Sequence, residues 1–315
     1  MNTPVSTTTT TSSIHVSVSP HIRKSTTTTT IMRDVAIALM PAVGMGAYAF
    51  GWRVILVLAI SIAACMGTEF IYEKLMKLPV TTGDLSAAVT GIILALNLPA
   101  TVPLWMPALG GVFAILIVKM LFGGIGQNFM NPALAARCFL LISFTSAMTN
   151  FPKTVHLLFD NPAVTEATPL AALKAGQPTD WFQMLFNTHS GTIGEASAIA
   201  ILVGLAYLLI RRVIHIRIPA IYILSTVGFV ALIQFILGNV SLFSVDYFAT
   251  QALGGGLLLG AIFMATDYST TPSTKWGKVI FGLGCGLITV LIRHFGSYPE
   301  GVSFAILFMN IITPF

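Results

Sequence analysis

Charge is what this 315-residue chain has least of. Only 9% of its residues are Asp, Glu, Lys or Arg, against 55% hydrophobic, and its mean hydropathy is +0.87. Soluble domains carry about 25% charged residues, so the chain cannot clothe a water-facing surface of ordinary size. It reads as a polytopic membrane protein. Cysteine is scarce too: Cys65, Cys138 and Cys285 lie in apolar stretches without CxxC spacing. That excludes a disulfide framework or a zinc or iron–sulfur quartet within the chain, and no other metal site is expected. They read as buried small residues, with a thiol joining a site shared with another subunit left open. The six histidines fall in tails, loops or helix ends, and none makes a mid-bilayer pair of the kind a haem-b bundle needs. Neither a Walker loop nor a GxGxxG in a βαβ setting occurs, which excludes direct nucleotide use. The net charge of +5 acts through topology, and no nucleic-acid partner is expected.

Threonine tracts, TPVSTTTTTSS and STTTTT, fill the start of the chain and bring too little apolar surface to fold alone. Residues 1–33 are expected to form a flexible tail. It lacks an apolar core and a cleavage signal, so it does not read as a signal peptide.

A spanning helix needs about 20 apolar residues. Ten stretches qualify, some short or broken by glycine: 34–51, 54–73, 84–98, 103–122, 131–148, 195–210, 218–237, 247–266, 278–293 and 301–315. With the N-terminus inside, inner loops and helix ends receive Arg23, Lys24, Arg33, Lys74, Lys77, Lys119, Arg211, Arg212, Arg217, Lys275 and Lys278. Outer ones receive Arg53, Lys153, Lys174 and Arg293, and Arg137 lies within a span. Eleven against four obeys the positive-inside rule. Both termini are therefore expected in the cytoplasm and the long 149–194 loop outside.

An internal repeat accompanies the count. Shifted by 169, GIILALNLPATVP (91–103) lies over GAIFMATDYSTTP (260–272), matching Gly91, Ile93, Thr101 and Pro103 to Gly260, Ile262, Thr270 and Pro272. The same shift lays spans three to five over eight to ten. Five is odd, so the halves would face opposite ways, as in transporters with broken helices. The expected architecture is all-α, with about ten transmembrane helices in two inverted five-helix repeats, 34–148 and 195–315. Coincidence in biased apolar sequence is the competing account.

Polar residues interrupt this plan in few places. In LFGGIGQNFMNPALAARCF (121–139), Asn131 can cap the next helix with Pro132 in its first turn, and Asn128 sits beside it. A re-entrant turn held by asparagine caps is one reading; a polar pocket for a ring system or ion is the other. Arg137, two turns further in, is costly in lipid and should face protein, water or an anion. In MATDYSTTPSTKWG (264–277), Asp267 either binds a cation or closes an Asx turn. Glu69 and Glu73 sit one turn apart, with Glu73 placed to pair with Lys77 at i,i+4. In VTEATPLAALKAG (164–176), Thr168 suits the N-cap, Pro169 the first turn and Gly176 the stop. That is complete as a surface helix. A helix N-terminus also offers free N–H groups to a phosphate, and joining one to the Thr168 oxygen needs a separate transferase.

Taken together, SPHIR, IMRDVAIALMPA, GGIGQNFMNPALAAR, the threonine segment, FMATD and YPEGVSFAILFMN occur in order from residue 19 to the end. In that set the chain resembles D subunits of Rnf-type ion-translocating electron transport complexes, a family shared with the B subunit of the sodium-translocating NADH:quinone reductase. The resemblance implies ten spans in inverted repeats and FMN joined through its phosphate to the last threonine of a Ser/Thr-Gly-Ala-Thr motif. Here the motif falls on Thr165-Glu166-Ala167-Thr168, making Thr168 the implied attachment residue. Glu166 replaces the usual glycine, and Pro162 stands where an aspartate often precedes. The resemblance further implies a non-covalent riboflavin, with Asn128 and Asn131 as its candidate contacts. Implied partners are a flavin transferase, a second flavin-bearing subunit, and membrane and iron–sulfur subunits in a bacterial or archaeal cell membrane. The implied role is electron relay between ferredoxin and NAD, coupled to sodium or proton movement, without an autonomous catalytic residue. A solute channel or transporter with inverted repeats and no redox cofactor is the alternative.

Overall fold

The computed structural model describes residues 27–152, 167–177, 179–186, 190–238, 244–296 and 300–314, and every regular element among them is helical. In chain order these are α1 (Thr28–Phe50), α2 (Arg53–Leu75), α3 (Ser86–Leu96), α4 (Trp105–Val112), α5 (Pro132–Ser143), α6 (Thr145–Met148), α7 (Pro169–Lys174) and α8 (Trp181–Leu185). There follow α9 (Ala198–Ile210), α10 (Arg217–Ile236), α11 (Val245–Leu253), α12 (Leu257–Leu259), α13 (Lys275–Phe295) and α14 (Val302–Ile312). Two π-helical segments, Phe113–Lys119 and Gly260–Met264, continue α4 and α12.

All ten apolar stretches fold into helical units, but not ten equal ones. Five helices are long and apolar enough to cross a bilayer: Thr28–Phe50, Arg53–Leu75, Trp105–Phe122, Arg217–Ile236 and Lys275–Phe295. At about 1.5 Å per residue, 20 residues reach the ~30 Å of a hydrocarbon core. A sixth unit, Val245–Leu253 with Leu257–Met264, bends by 52° where Gly255 and Gly256 adopt left-handed backbone. The remaining four, α3, α5, α9 and α14, have 10 to 17 residues and reach only part of the way. Their apolar stretches are longer than their helices because the flanks are irregular. Leu85 has φ +66° before α3, for example, and Asn97 ends it.

Elements recur in register. Adding 169 to the first residues of α1, α3, α4 and α5 gives 197, 255, 274 and 301; α9, α12, α13 and α14 begin at 198, 257, 275 and 302. For α2 the shift gives 222, five residues past the start of α10. Corresponding helices meet head to tail. Near the start of α1, Asp34 accepts from Tyr207 Oη (3.3 Å) and Arg211 Nε (3.2 Å) near the end of α9, while Gly46 packs on Ile193 just before α9. Likewise Arg137 of α5 meets Ser303 at the start of α14, and Asn131 at the head of α5 meets Asn310 near the tail of α14. The ends of α3 and of the 260–264 segment abut, with Asn97 Nδ2 donating to Met264 Sδ (3.7 Å).

Glycine sets the closest of these crossings. A Cβ at Gly204 would overlap the Ala38 carbonyl oxygen and stand 2.9 Å from the Phe263 ring. Small residues let membrane helices approach until backbones touch. Gly204→Val is therefore expected to cost about 1–3 kcal/mol, the usual range for overpacking. Thermal unfolding in detergent should show the melting point lowered; an unchanged one would mean the crossing yields freely.

Candidate functional site

Helix α7 begins and ends as its residues dictate. Thr168 holds extended backbone (φ −65°, ψ 154°), and its Oγ1 accepts from Ala171 N–H at 3.3 Å, with Pro169 at the first helical position. Gly176 closes the other end at φ +74°, and Gln177 N–H donates to the Ala172 carbonyl at 2.9 Å. The helix is docked, not floating. Leu170 is buried against Gly254 and Gly255, Lys174 Nζ donates to the Gly296 carbonyl (2.6 Å), and Ser190 Oγ donates to the Ala167 carbonyl (2.7 Å). Thr168 is consequently only 4% exposed. Thr165, Glu166 and Pro162 lie outside the described residues.

Beneath α7 lies a cavity of about 210 Å³, walled by Leu170, Lys174, Gln234, Tyr247, Gln251 and Arg293 among others. Arg293, counted among the outer loops and helix ends, lies in the last turn of α13 but is buried, donating to the carbonyls of Gln251 (2.6 Å) and Gly254 (2.9 Å). Gln234 Nε2 donates to Tyr247 Oη at 2.7 Å. Two buried atoms of these walls, Gln234 Oε1 and Arg293 Nε, have no hydrogen-bond partner.

Toward the opposite ends of the long helices, a larger cavity of about 460 Å³ brings Asn128 and Asn131 together with Lys119, Ser86, Asp267 and Ser269. Apolar walls come from Ile31, Met32, Val89, Ile93, Leu208 and Phe263. Asn131 Oδ1 caps α5 by accepting from Ala133 (3.1 Å) and Leu134 (3.3 Å) N–H, and its Nδ2 donates to the Met264 carbonyl (3.4 Å). Asn128 Nδ2 donates to Ser269 Oγ at 3.3 Å. The capped turn and the pocket are thus the same structure. Asp267 Oδ2 accepts from Ser269 (3.1 Å) and Thr270 (3.3 Å) hydroxyls as a closed turn would; burial nevertheless pushes its carboxyl above the ordinary range. Both π-helical segments border this cavity, through Lys119 and through Ile262 and Phe263. Such turns are rare and concentrate at functional sites.

Buried charge is mostly paired between segments far apart in the chain. Lys119, counted as an inner-end charge, is buried and paired with Glu69. Glu73 does not pair with Lys77. The helix ends at Leu75 and Lys77 turns left-handed (φ +56°), so helical spacing no longer applies; Glu73 instead accepts from Thr81 N–H (3.1 Å) and the Thr81 and Thr82 hydroxyls. Arg137 faces protein, paired with Glu300 and Ser303. Glu195 accepts from Thr192 Oγ1 at 2.9 Å. The only signal for these was a charged residue inside an apolar run. Cys65, Cys138 and Cys285 are buried and unbridged.

Known proteins share most of this chain's length. The model of the NQR2, RnfD, RnfE family matches residues 15–315. The chain is 46% identical, over 305 residues covering 95% of it and 91% of the relative, to the D subunit of the Na(+)-translocating ferredoxin:NAD(+) oxidoreductase complex of Acetobacterium woodii. It is 40% identical to the D subunit of the proton-translocating ferredoxin:NAD(+) oxidoreductase complex of Clostridium ljungdahlii, over 95% of this chain and 92% of that one. To the D subunit of the ion-translocating oxidoreductase complex of Halorhodospira halophila it is 35% identical, over 94% and 90%.

Proposed function

Because the chain belongs to the NQR2, RnfD, RnfE family, as an RnfD-type membrane subunit, we propose that it relays electrons within an ion-translocating ferredoxin:NAD oxidoreductase complex through FMN esterified to Thr168. The observation that carries this reading is the seating of Thr168. Its hydroxyl heads a docked helix, and that helix roofs a cavity whose walls hold two unpaired buried polar atoms. The cavity's lining begins at Leu170, two residues along from Thr168, and mixes apolar side chains with amide, phenol and guanidinium groups, as a flat polar ring would require. Bound there, the flavin would supply the electron chemistry, while the protein supplies position and electrostatics. Leu170 and Lys174 hold the helix down, and Gln234, Tyr247, Gln251 and Arg293 make part of the cavity's lining polar.

A second, non-covalent flavin, riboflavin, is proposed for the larger cavity, where Asn128 and Asn131 would contact it. The fit rests on a mixed lining, apolar on the broad walls with amide, hydroxyl and ammonium groups converging at one side. Ten membrane passages in two inverted repeats are supported by the 169-residue register and the head-to-tail meeting of related helices. Nine described cations, Arg33, Lys74, Lys77, Lys119, Arg211, Arg212, Arg217, Lys275 and Lys278, belong to the end with the larger cavity. Only Arg53, Lys174 and Arg293 belong to the end with Thr168. The positive-inside rule then puts the termini in the cytoplasm and Thr168 outside. Electron flow would be coupled to sodium or proton movement, each charge costing about 2.3 kcal/mol per 100 mV. A flavin transferase, a second flavin-bearing subunit, and further membrane and iron–sulfur subunits complete the assembly.

Inverted membrane vesicles holding the whole complex test this directly. Reduced ferredoxin should drive NAD reduction together with uptake of ²²Na⁺ or protons. Thr168→Val should bring both to background. Undiminished coupled transport in that variant would refute the relay.

A further inference from the structure

Lys119 is the one cationic side chain in the lining of the larger cavity among the described residues, and the helix is distorted at that point. It is the last residue of the π-helical segment Phe113–Lys119, is 3% exposed, and is held by Glu69 Oε1 and by Ser86 Oγ at 2.6 Å. The direction of the second bond is fixed, since Ser86 Oγ spends its own proton on Asp84 Oδ1 at 2.5 Å. An ammonium carries three donors. Glu69 and Ser86 take two of them, and the third has no protein acceptor among the described residues. Lys119 and Ser86 line the cavity; Glu69, on α2, stands behind them and does not, and its Oε2 has no partner. A ligand in the cavity therefore meets the positive end of this ion pair first. The remaining acids nearby are engaged, Glu73 by Thr81 and Thr82, and Asp267, also in the lining, by Ser269 and Thr270.

Stability alone does not account for this arrangement. A buried ion pair stabilises a fold little more than a well-packed apolar pair, and often less. An ammonium with a donor to spare, on a residue that lines a cavity, is better explained by what the cavity holds. We infer that Lys119, backed by Glu69, is the counter-charge for a flat ring ligand that becomes anionic on reduction, and so holds the reduced ring more tightly than the oxidised one. The inference rests on the non-covalent flavin proposed above. Adding two electrons and one proton to the neutral ring leaves it with one negative charge, and an ammonium fixed in a low-dielectric wall stabilises that charge strongly. Lys119 is thus a positioning and electrostatic residue that sets a potential.

The test uses the purified whole complex, with dithionite as reductant. Acid extraction measures the non-covalent flavin, and spectroelectrochemistry gives its midpoint potential. Glu69→Gln leaves Lys119 a hydrogen-bond acceptor but removes the neutralising charge. It should raise the midpoint by at least ~30 mV, tenfold in the reduced-to-oxidised affinity ratio for a two-electron couple. The double substitution K119M/E69Q, which leaves no unpaired buried charge, should lower it by at least the same ~30 mV relative to the native complex. The Thr168-linked flavin, toward the other end of the helices, should keep its potential in both. Retained flavin whose midpoint stays put in both variants would overturn the role of Lys119. Absence of extractable flavin from the native complex would overturn the reading of the cavity itself.

Discussion

Thr168→Asn should remove all covalently bound flavin while leaving the chain folded and assembled. The substitution separates the two things this residue can do. As an N-cap, asparagine is as good as threonine, its side-chain oxygen accepting the same N–H bond, so α7 keeps its start and its stability. Ala171 N–H, now bonded to the threonine oxygen at 3.3 Å, would be bonded to the amide oxygen instead. An amide cannot form the phosphoester. Thr168→Ser keeps both cap and hydroxyl, and should retain flavin, whereas Thr168→Val loses both. If threonine were there only to cap, the asparagine variant would be indistinguishable from the native chain. Ultraviolet fluorescence of the polypeptide after denaturing electrophoresis reads the outcome: bright for native and Ser, dark for Asn and Val. A bright Asn band would place the attachment elsewhere.

The largest effect on stability is expected from Arg137→Met. Arg137 joins α5 to Glu300 and Ser303 at the head of α14, and both charged groups are buried. Removing the guanidinium leaves the Glu300 carboxylate unpaired in a dry interior, where Oε1 already lacks a partner. Breaking one side of such a pair costs about 3–5 kcal/mol. Folded yield and thermal stability in detergent should fall steeply. The double variant R137M/E300Q should recover much of the loss, because the Glu300 carboxylate is gone together with its partner while Glu195 and Arg293 still face each other's charge. The thermodynamic cycle from the two single variants and the double then isolates the coupling. Full stability of the single Arg137→Met variant would contradict the account, as would a double variant worse than it.

What the residues disclosed in advance were local patterns. Thr168, Pro169 and Gly176 delimit α7 as their backbone preferences require, and Asn131 with Pro132 opens α5. Each apolar stretch became a helical unit. Hydropathy could not separate full-length helices from short ones, because an irregular backbone such as 97–104 is as apolar as a helix when protein covers it. Long-range pairing was equally hidden. Lys119 to Glu69, Arg137 to Glu300, and Arg293 to the Gln251 and Gly254 carbonyls join residues far apart in the chain, and no spacing rule connects them. The expected Glu73–Lys77 pair failed for the complementary reason, since local spacing was applied past the end of its helix. Asn128 and Asn131 were legible as a polar pair. Their companions in the cavity, Lys119, Ser86 and Asp267, come from other segments.

Whether one oxygen in this membrane protein carries a flavin phosphate is decided by mass spectrometry. The sample is the peptide containing Thr168, from chain produced alongside its own complex and transferase. A gain equal to FMN less one water is predicted, with fragmentation localising it to Thr168. A peptide of unmodified mass would contradict the relay at its root.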